Sequence, residues 1–237
     1  MTGTSGTYSW APTAGDVILS AFSRINVRGP ELTAQHLVDA GMEANLLNIS
    51  FSNRTPNQWQ LQTPTITLVQ GTSQYNLLNN TVAIGLIYLT TNYGTGSAFD
   101  KPLTPMSAAD YAAIPNKTTQ GPPTIHWVNL STPTPTITLW PVPDGNGTYV
   151  MSVQSFRQQQ DFNVAGGQNL DAPYRFTEAF VAGLAARLAR NWAPALYMQR
   201  KADAEESWNE AASRDQEDSN LYLTPGLQSY FLAPEYR

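Results

Sequence analysis

The sequence contains no cysteine and few charged residues. None of its 237 residues is cysteine, and 13% of them are charged, which is about half the usual share for a globular domain. Without cysteine the chain has no disulfide framework and no thiolate metal site. The net charge of −5 argues against sequence-independent nucleic-acid binding, because such binding requires clustered lysine and arginine.

Long apolar runs are also missing. The longest candidate, residues 82–89, has the length of a strand and falls far short of the about 20 residues that cross a bilayer. The N-terminus contains neither a basic segment nor an apolar one, so the sequence predicts no secretory signal. We therefore expect no membrane partner.

Sequence signatures of catalysis and of cofactor binding are absent as well. No Gly-x-Ser-x-Gly elbow accompanies His36 or His126, and no phosphate-binding glycine loop is present. Two histidines without cysteine do not fill a structural zinc site unless carboxylates contribute, and no H-x-x-x-H spacing is present. The sequence therefore predicts no enzyme, no cofactor and no metal. A hydrolase built on Asp100, Asp110 and Asp144 stays open as an alternative, although Asp144 lies in an Asp-Gly turn.

Both ends of the chain have the apolar spacing of helices. The predicted helices span 14–27, 31–52, 173–192 and 195–217. Thr13 and Asp16 form a capping box at the start of the first helix, and Asp171 is the predicted N-cap of the third. The second helix carries an apolar stripe that is wide enough to contact more than one neighbour.

The two C-terminal helices have a recurrent apolar stripe, and small residues on the third helix permit close approach of a neighbour. Trp192 is predicted on the same stripe of the third helix. The acidic residues of the last helix, including Asp215, are predicted on a solvated face. The residues predicted to pack the helices together are Phe176, Phe180, Gly183, Leu184, Leu188 and Trp208.

Between residues 55 and 156 charged residues almost disappear and strand signals replace them. The charged residues of this stretch are Asp100, Lys101, Asp110, Lys117 and Asp144. The predicted strands are 65–69, 74–77, 82–90, 124–130, 136–140 and 149–156, with one short helix at 107–114. Several short strands separated by turns predict a sandwich or barrel-like module.

The strongest local signal in this module lies at 134–156. Two strand-like runs flank the segment PVPDGNG, which has the composition of a turn, so the sequence predicts a β-hairpin. The segment TPTITL occurs at 63–68 and again at 134–139. Two interpretations stay open, a duplicated hairpin or the convergence of threonine-rich edge strands on similar sequences.

These patterns together predict an α+β fold. Residues 13–54 and 170–217 are expected to form an antiparallel helical bundle. Residues 55–169 insert the β-sandwich or barrel-like module and its linker into this bundle. Residues 1–12 are predicted as an N-terminal arm and residues 218–237 as an extended C-terminal arm.

Leucine-rich and aromatic segments are the candidate binding surfaces. The C-terminal arm is too apolar for an idle tail, so we expect it to dock on a partner, with folding back onto its own domain as the alternative. The candidate contact residues of the arm are Leu221, Tyr222, Leu223, Leu227, Tyr230, Phe231 and Tyr236. The aromatic residues of the β module are expected in the core or in protein interfaces, with a carbohydrate platform as the alternative. These residues are Trp59, Tyr88, Tyr93, Trp127, Trp140 and Tyr149.

Three segments resemble a known protein family. They are 103–129 (LTPMSAADYAAIPNKTTQGPPTIHWVN), 137–149 (ITLWPVPDGNGTY) and 170–189 (LDAPYRFTEAFVAGLAARLA). In combination they resemble the head-to-tail adaptor, or connector, proteins of short-tailed bacteriophages. The resemblance implies a structural virion protein without a catalytic step. A carbohydrate-binding β module on a helical anchor and another tail or connector component are the alternatives.

The resemblance also implies partners and a location. It implies a homo-oligomeric ring of twelve copies beneath the portal protein, with the C-terminal arm docked on the portal. The β module, with Trp59, Tyr93, Trp140 and Tyr149, would face the tail nozzle or the tail fibres. DNA would pass through the ring without sequence-specific binding, because an acidic, lysine-poor channel wall repels phosphates. The implied location is the tail or neck of the virion, after assembly in the host cytoplasm.

Overall fold

A computed structural model describes residues 6–7, 9–54, 58–163 and 167–215. Across these residues the chain is α+β, with five α-helices and nine strands in two sheets. The helices are α1 (Ala14–Arg24), α2 (Ala34–Ser52), α3 (Ala108–Ala113), α4 (Tyr174–Trp192) and α5 (Tyr197–Ser213). The strands are β1 (Leu61–Gln62), β2 (Thr65–Thr67), β3 (Gln74–Asn76), β4 (Thr81–Thr91), β5 (Phe99–Pro102), β6 (Thr104–Pro105), β7 (Ile125–Asn129), β8 (Thr136–Trp140) and β9 (Tyr149–Arg157).

Helix α4 is the centre of the helical part. Twelve of its 19 residues are buried, and it packs against α1, α2 and α5. A Cβ atom added to Gly183 would lie 3.0 Å from Cδ1 of Leu47 on α2, so only glycine permits this close approach without a shift of Leu47. The structure places all six predicted packing residues in this buried core, namely Phe176, Phe180, Gly183, Leu184, Leu188 and Trp208.

The end of α4 differs from the prediction. Trp192 was predicted on the buried stripe, but its side chain is partly exposed at the last residue of the helix. Its indole ring lies against the imidazole of His36, with ring centroids 3.9 Å apart.

The capping residue predicted from the sequence is present at the start of α1 but not at the start of α4. The Asp16 N–H donates to Oγ1 of Thr13 at 3.2 Å, and the Thr13 N–H donates to the Asp16 carboxylate at 3.0 Å, which is the predicted capping box of α1. The predicted N-cap of α4 is wrong. This helix begins after Pro173 without a side-chain cap, because Asp171 makes a bidentate ion pair with Arg157 instead.

Two packed sheets build the β module. One sheet has the strand order β1–β9–β4–β5, with β2 also paired to β9, and the other has the order β3–β8–β7–β6. All strand pairs are antiparallel except β6 with β7, which is parallel. The two sheets share one apolar core and form no closed barrel in the described part of the chain. Its central side chains are Leu77, Ile87, Leu89, Ile137, Leu139, Met151 and Val153.

The predicted hairpin at 134–156 is wrong. Both strands exist, as β8 and β9, but they lie in different sheets. Strand β8 pairs with β3 and β7, whereas β9 pairs with β1, β2 and β4. Strand β9 has nine residues, and it can form a longer ladder with the eleven residues of β4 than with the five residues of β8. A longer ladder satisfies more backbone groups, and the turn-like segment 141–148 therefore connects the two sheets.

The two TPTITL segments exchange partners. Strand β2 of the first segment pairs with β9, which follows the second segment, and β8 of the second pairs with β3, which follows the first. The backbone bonds repeat as well: the Leu68 N–H donates to the carbonyl of Tyr149 at 2.9 Å, and the Leu139 N–H donates to that of Ser73 at 2.8 Å. Neither copy forms a hairpin with its own following strand, and the exchange links the two sheets.

Candidate interaction surfaces

Helix α2 is apolar on two opposite faces. Leu47, on the buried face, follows Val38 by nine residues, which places the two side chains about half a turn apart around the helix axis. The other buried apolar residues are Ala40, Ala44 and Phe51. We call the exposed face the outer stripe, and its side chains each expose between 42% and 65% of their surface. The outer stripe consists of Val38, Met42, Leu46 and Ile49.

All four side chains of the outer stripe are apolar, and Asp39 and Asn45 border the stripe. The exposed face of a helix in a globular protein normally carries charged and polar residues. Here four apolar side chains follow one another at intervals of four or three residues, over about 16 Å of helix. An exposed apolar strip of this kind is typical of a protein interaction site. The inner face of α2 is used by α4, and the outer stripe is available for a second neighbour.

A second apolar surface lies between α1 and α4. It is a groove of about 390 Å³, and two exposed aromatic side chains border it, Trp10 with 73% and Tyr174 with 80% of the surface accessible. Val17 of α1 and Val181 of α4 also line it. We call this surface the Trp10–Tyr174 groove. Tryptophan and tyrosine are enriched where proteins bind one another.

The charges beside the Trp10–Tyr174 groove are paired within the chain. Both Nη atoms of Arg24 donate to the carboxylate of Glu178 at 2.8 Å, which joins α1 to α4 and holds the pKa of Glu178 below its usual value. The Thr13 hydroxyl donates to Asp16 at 2.7 Å, and this hydrogen bond lowers the pKa of Asp16. An apolar partner in the groove would therefore cover no unpaired carboxylate of these two residues.

The outer stripe and the groove lie on opposite sides of α4. Gly183 faces α2, because its added Cβ would meet Leu47, whereas Tyr174 lines the groove. These two positions of α4 are nine residues apart, which is about half a turn around the helix axis. The outer stripe in turn lies on the side of α2 that faces away from α4. The helical part thus has two apolar surfaces that point in opposite directions.

Two asparagines of α2 bind the segment that returns from the β module to the helical part. Asn45 makes a reciprocal pair with the backbone of Phe162: its Nδ2 donates to the carbonyl at 3.2 Å, and its Oδ1 accepts from the N–H at 2.8 Å. Asn48 Nδ2 donates to the carbonyl of Gln160 at 3.2 Å. The segment after β9 is thereby bound to α2 through its backbone N–H and carbonyl groups, which a neighbouring strand would bind in a sheet.

An ion pair also stabilises the segment that connects β9 to α4. Arg157, the last residue of β9, donates to both carboxylate oxygens of Asp171 at 2.6 and 2.8 Å. The Gln160 N–H donates to the same carboxylate at 2.8 Å. The Arg157 guanidinium holds the pKa of Asp171 below its usual value. The β module and the helical part are therefore joined by an ordered polar contact, and the sequence pattern did not reveal it.

The end of α5 is held by a buried carboxylate. Asp215 was predicted on a solvated face, but it is buried. Its carboxylate pairs with Arg175 of α4 and accepts from the Gln58 N–H at 3.0 Å. The prediction was wrong because Asp215 lies beyond the end of α5 at Ser213, and its partners are distant in sequence. The residues of the predicted docking arm, Leu221 to Tyr236, lie outside the described residues.

The predicted tail-facing aromatic residues have different environments. Tyr149 is buried in the β core, and its hydroxyl donates to Asp144 at 2.8 Å. Trp59 packs against Phe176 of the helical core. Tyr93 is exposed. The ring of Tyr149 is therefore buried, and that of Trp59 is partly buried.

The remaining aromatic residues of the β module make local contacts. Trp140 is half-buried and donates from Nε1 to the carbonyl of Asn116 at 3.1 Å. Trp127 stacks on Tyr111 of α3 with ring centroids 5.5 Å apart. These contacts engage several of the aromatic rings that a carbohydrate platform would have used.

Histidine, aspartate and glutamate side chains are the candidate catalytic and metal-ligating groups of this chain. In the described ranges, no group of three or more histidine, cysteine, aspartate or glutamate side chains is placed to hold a metal ion. The carboxylates of Asp100, Asp110 and Asp144 each accept a hydrogen bond from a hydroxyl that is close in sequence or on the adjacent strand. The donors are Thr90, Ser107 and Tyr149, respectively. No helix among the described residues is long and apolar enough to cross a membrane.

Comparison with known proteins gives one clear match. The sequence model of the family described as SU10 adaptor protein matches residues 12–227, which is most of the chain. No curated protein matches the sequence significantly. The matched range includes both helical segments, the whole β module, the outer stripe of α2 and Tyr174 of the groove.

Proposed function

The chain belongs to the SU10 adaptor protein family, and we propose that it is a ring-forming head-to-tail adaptor of a phage virion. Membership in this family identifies a structural phage adaptor and implies interaction with other head or tail proteins. In the proposed role, subunits assemble into a ring of twelve that links the portal to the tail nozzle or fibres. The ring also lines the channel through which DNA leaves the head.

The observation that carries this proposal is the outer stripe of α2. A subunit that worked alone would leave Val38, Met42, Leu46 and Ile49 about half exposed to water. Burying the exposed part of each side chain would contribute about half of the about 1.5–3 kcal/mol that full burial provides. Lateral contact between subunits removes these side chains from water. An adaptor needs such a contact, because a ring is held together by the surfaces that its subunits present to one another.

Charge supports the proposed path for DNA. The chain carries a net charge of −5 with 13 lysine and arginine residues. Among the described residues, five arginines pair with carboxylates of the same chain, namely Arg24, Arg157, Arg175, Arg187 and Arg200. A channel wall of this composition gives phosphates few binding sites. DNA passes such a wall without being retained.

The two ends of the adaptor have different proposed partners. The C-terminal arm, with Leu221, Tyr222, Leu223, Leu227, Tyr230, Phe231 and Tyr236, is the proposed portal contact. The β module is the proposed contact for the tail, and Tyr93 is the most exposed of its four predicted contact residues. Hydrogen bonds of Asn45 and Asn48 and the ion pair of Arg157 connect the β module to the helical part.

Assembly measurements test the proposal. The mass of the purified chain is measured alone and after mixing with portal rings, by native mass spectrometry. We expect a ring, either alone or on the portal, and we expect Val38→Glu/Met42→Glu to prevent its formation. Two charges buried without partners in a subunit contact cost several kcal/mol each. A chain that stays monomeric alone and with portal rings contradicts the proposal.

A matched control uses the same number of charges elsewhere. Gln199→Glu/Asn209→Glu adds two carboxylates at exposed positions of α5. This variant is expected to assemble like the unmodified chain. Loss of assembly in both variants would attribute the effect to net charge and would remove the outer stripe as the support for the proposed ring.

A further inference from the structure

A ring requires two different contact surfaces on each subunit. In a closed ring made by head-to-tail contacts, one surface of each subunit binds a different surface of the next. A self-complementary surface gives a closed dimer instead. The outer stripe explains one side of such a contact, and its counterpart has to lie on the opposite side of the subunit.

The Trp10–Tyr174 groove is in that position. Around α4, the side that faces α2 and the side that lines the groove are about half a turn apart, as Gly183 and Tyr174 show. The outer stripe therefore points away from the groove within one subunit. The two surfaces cannot meet inside one chain, but they can meet between successive copies.

The two surfaces also match in chemistry and in shape. The outer stripe is a convex row of aliphatic and thioether side chains, and the groove is a concavity of about 390 Å³ bordered by Trp10 and Tyr174. Aromatic residues that border a pocket are typical anchors of protein interfaces. The ion pair of Arg24 with Glu178 is complete within one subunit, so docking leaves neither charge without its partner.

We propose that the outer stripe of α2 in one copy docks in the Trp10–Tyr174 groove of the next copy. This contact is heterologous and repeats around the ring, and it rests on the proposed ring-forming function. The occupant of the groove is a second copy of this chain. The contact leaves the β module and the end of α5 free for other partners.

Cysteine cross-linking tests this contact directly, because the chain has no cysteine of its own. Met42→Cys and Tyr174→Cys are prepared as separate single variants and as one double variant, and each is treated with a short bismaleimide. We expect each single variant to stay uncross-linked. We expect a mixture of the two to give dimers, and the double variant to give a ladder of oligomers up to the full ring. Gln199→Cys/Tyr174→Cys is the matched control and is expected to give no ladder.

Two outcomes would overturn the inference. Dimers from Met42→Cys alone would show that the outer stripe binds its own copy, and a double variant without cross-links in a ring of normal mass would show that other surfaces make the contact. In the second case the ring still forms, so the proposed function stands while this inference fails. Absence of any ring, alone or on portals, would instead contradict the proposed function.

A complementation experiment gives an independent readout. Val38→Glu/Met42→Glu blocks the outer stripe, and Trp10→Glu/Tyr174→Glu blocks the groove. Each variant alone is expected to stay monomeric, whereas a mixture is expected to stop at a heterodimer, since one intact stripe and one intact groove remain. Circular dichroism and thermal unfolding check that each variant is folded. Ring formation by the folded groove variant would contradict the proposed contact.

Discussion

At the scale of single residues, burial determines the chemistry of two polar side chains in the β module. Burial and the hydrogen bond to Asp144 raise the pKa of Tyr149 to about 12. Burial also lowers the pKa of His126, whose Nδ1 has no hydrogen-bond partner among the described residues. Both side chains are therefore kept neutral at neutral pH, in accord with a packed core rather than a reactive site.

His126 predicts a dependence of stability on pH. Its pKa is lower in the folded chain than the about 6.5 of an unfolded histidine, so the unfolded state takes up the proton first. The free energy of unfolding is expected to fall as the pH decreases from about 6.5 toward the lower folded pKa. Urea unfolding at several pH values between 7.5 and 5 measures this slope.

The control for this prediction is His126→Leu. Leucine does not titrate, so the variant is expected to show a shallower slope than the unmodified chain over the same pH range. The lowered pKa values of Asp171 and Glu178 act at lower pH, because these carboxyls are ionised in both states above about pH 5.5. Equal slopes for the two chains would contradict a role of His126.

At the scale of elements, α2 has three separate tasks. Its inner face packs on α4 through Leu47 and Phe51, its outer stripe is open, and Asn45 with Asn48 binds the returning chain. The wide apolar stripe was visible in the sequence and predicted more than one contact. The asparagine contacts were not visible, because an asparagine in a helix gives no sequence signal for a backbone partner more than 100 residues away.

Asn45→Ala is expected to weaken the connection of the two parts. The substitution leaves the N–H and the carbonyl of Phe162 without the partners that they have in the folded chain. A buried polar group without a partner costs about 1–3 kcal/mol, so the free energy of unfolding should fall by that amount in denaturant titrations.

Asn209→Ala on the exposed side of α5 is the matched control and is expected to change stability by less than about 0.5 kcal/mol. Asn45→Asp separates the two bonds, because it removes the donor and keeps an acceptor. An unchanged denaturation midpoint for Asn45→Ala would refute the role assigned to this side chain.

At the scale of the whole molecule, the fold places different surfaces in different directions. The outer stripe and the Trp10–Tyr174 groove lie on opposite sides of the helical part, and the β module is fixed by a polar connection. Asp215 holds the end of α5 against Arg175 and Gln58. These arrangements suit a subunit whose task is to join neighbours in several directions.

Deletion of residues 220–237 is expected to abolish attachment to portal rings. The deletion keeps Asp215 and every described helix, so the truncated chain should unfold at the same temperature as the full chain and should keep its lateral contacts. Co-sedimentation with portal rings measures attachment, and Gln199→Glu/Asn209→Glu in the full-length chain is the control. Truncated protein that still sediments with portal rings would show that another surface makes this contact.

The sequence by itself determined the local structure of this protein. Helical periodicity, the Thr13–Asp16 capping box and alternating strand patterns arise among residues a few positions apart, and the helices and most strands were therefore predicted within a few residues. The same sequence, through its characteristic segments, also indicated the phage adaptor family.

Only the tertiary structure decided which of these elements meet. Strands β8 and β9 were predicted as a hairpin but lie in two sheets, Asp171 binds Arg157 instead of capping α4, and Asp215 is buried by residues distant in sequence. In α2, apolar residues on both faces look equivalent in the sequence, and packing on the neighbouring helices determines which face remains exposed. Such contacts depend on burial and hydrogen bonding between distant segments, and local sequence patterns do not encode these partners.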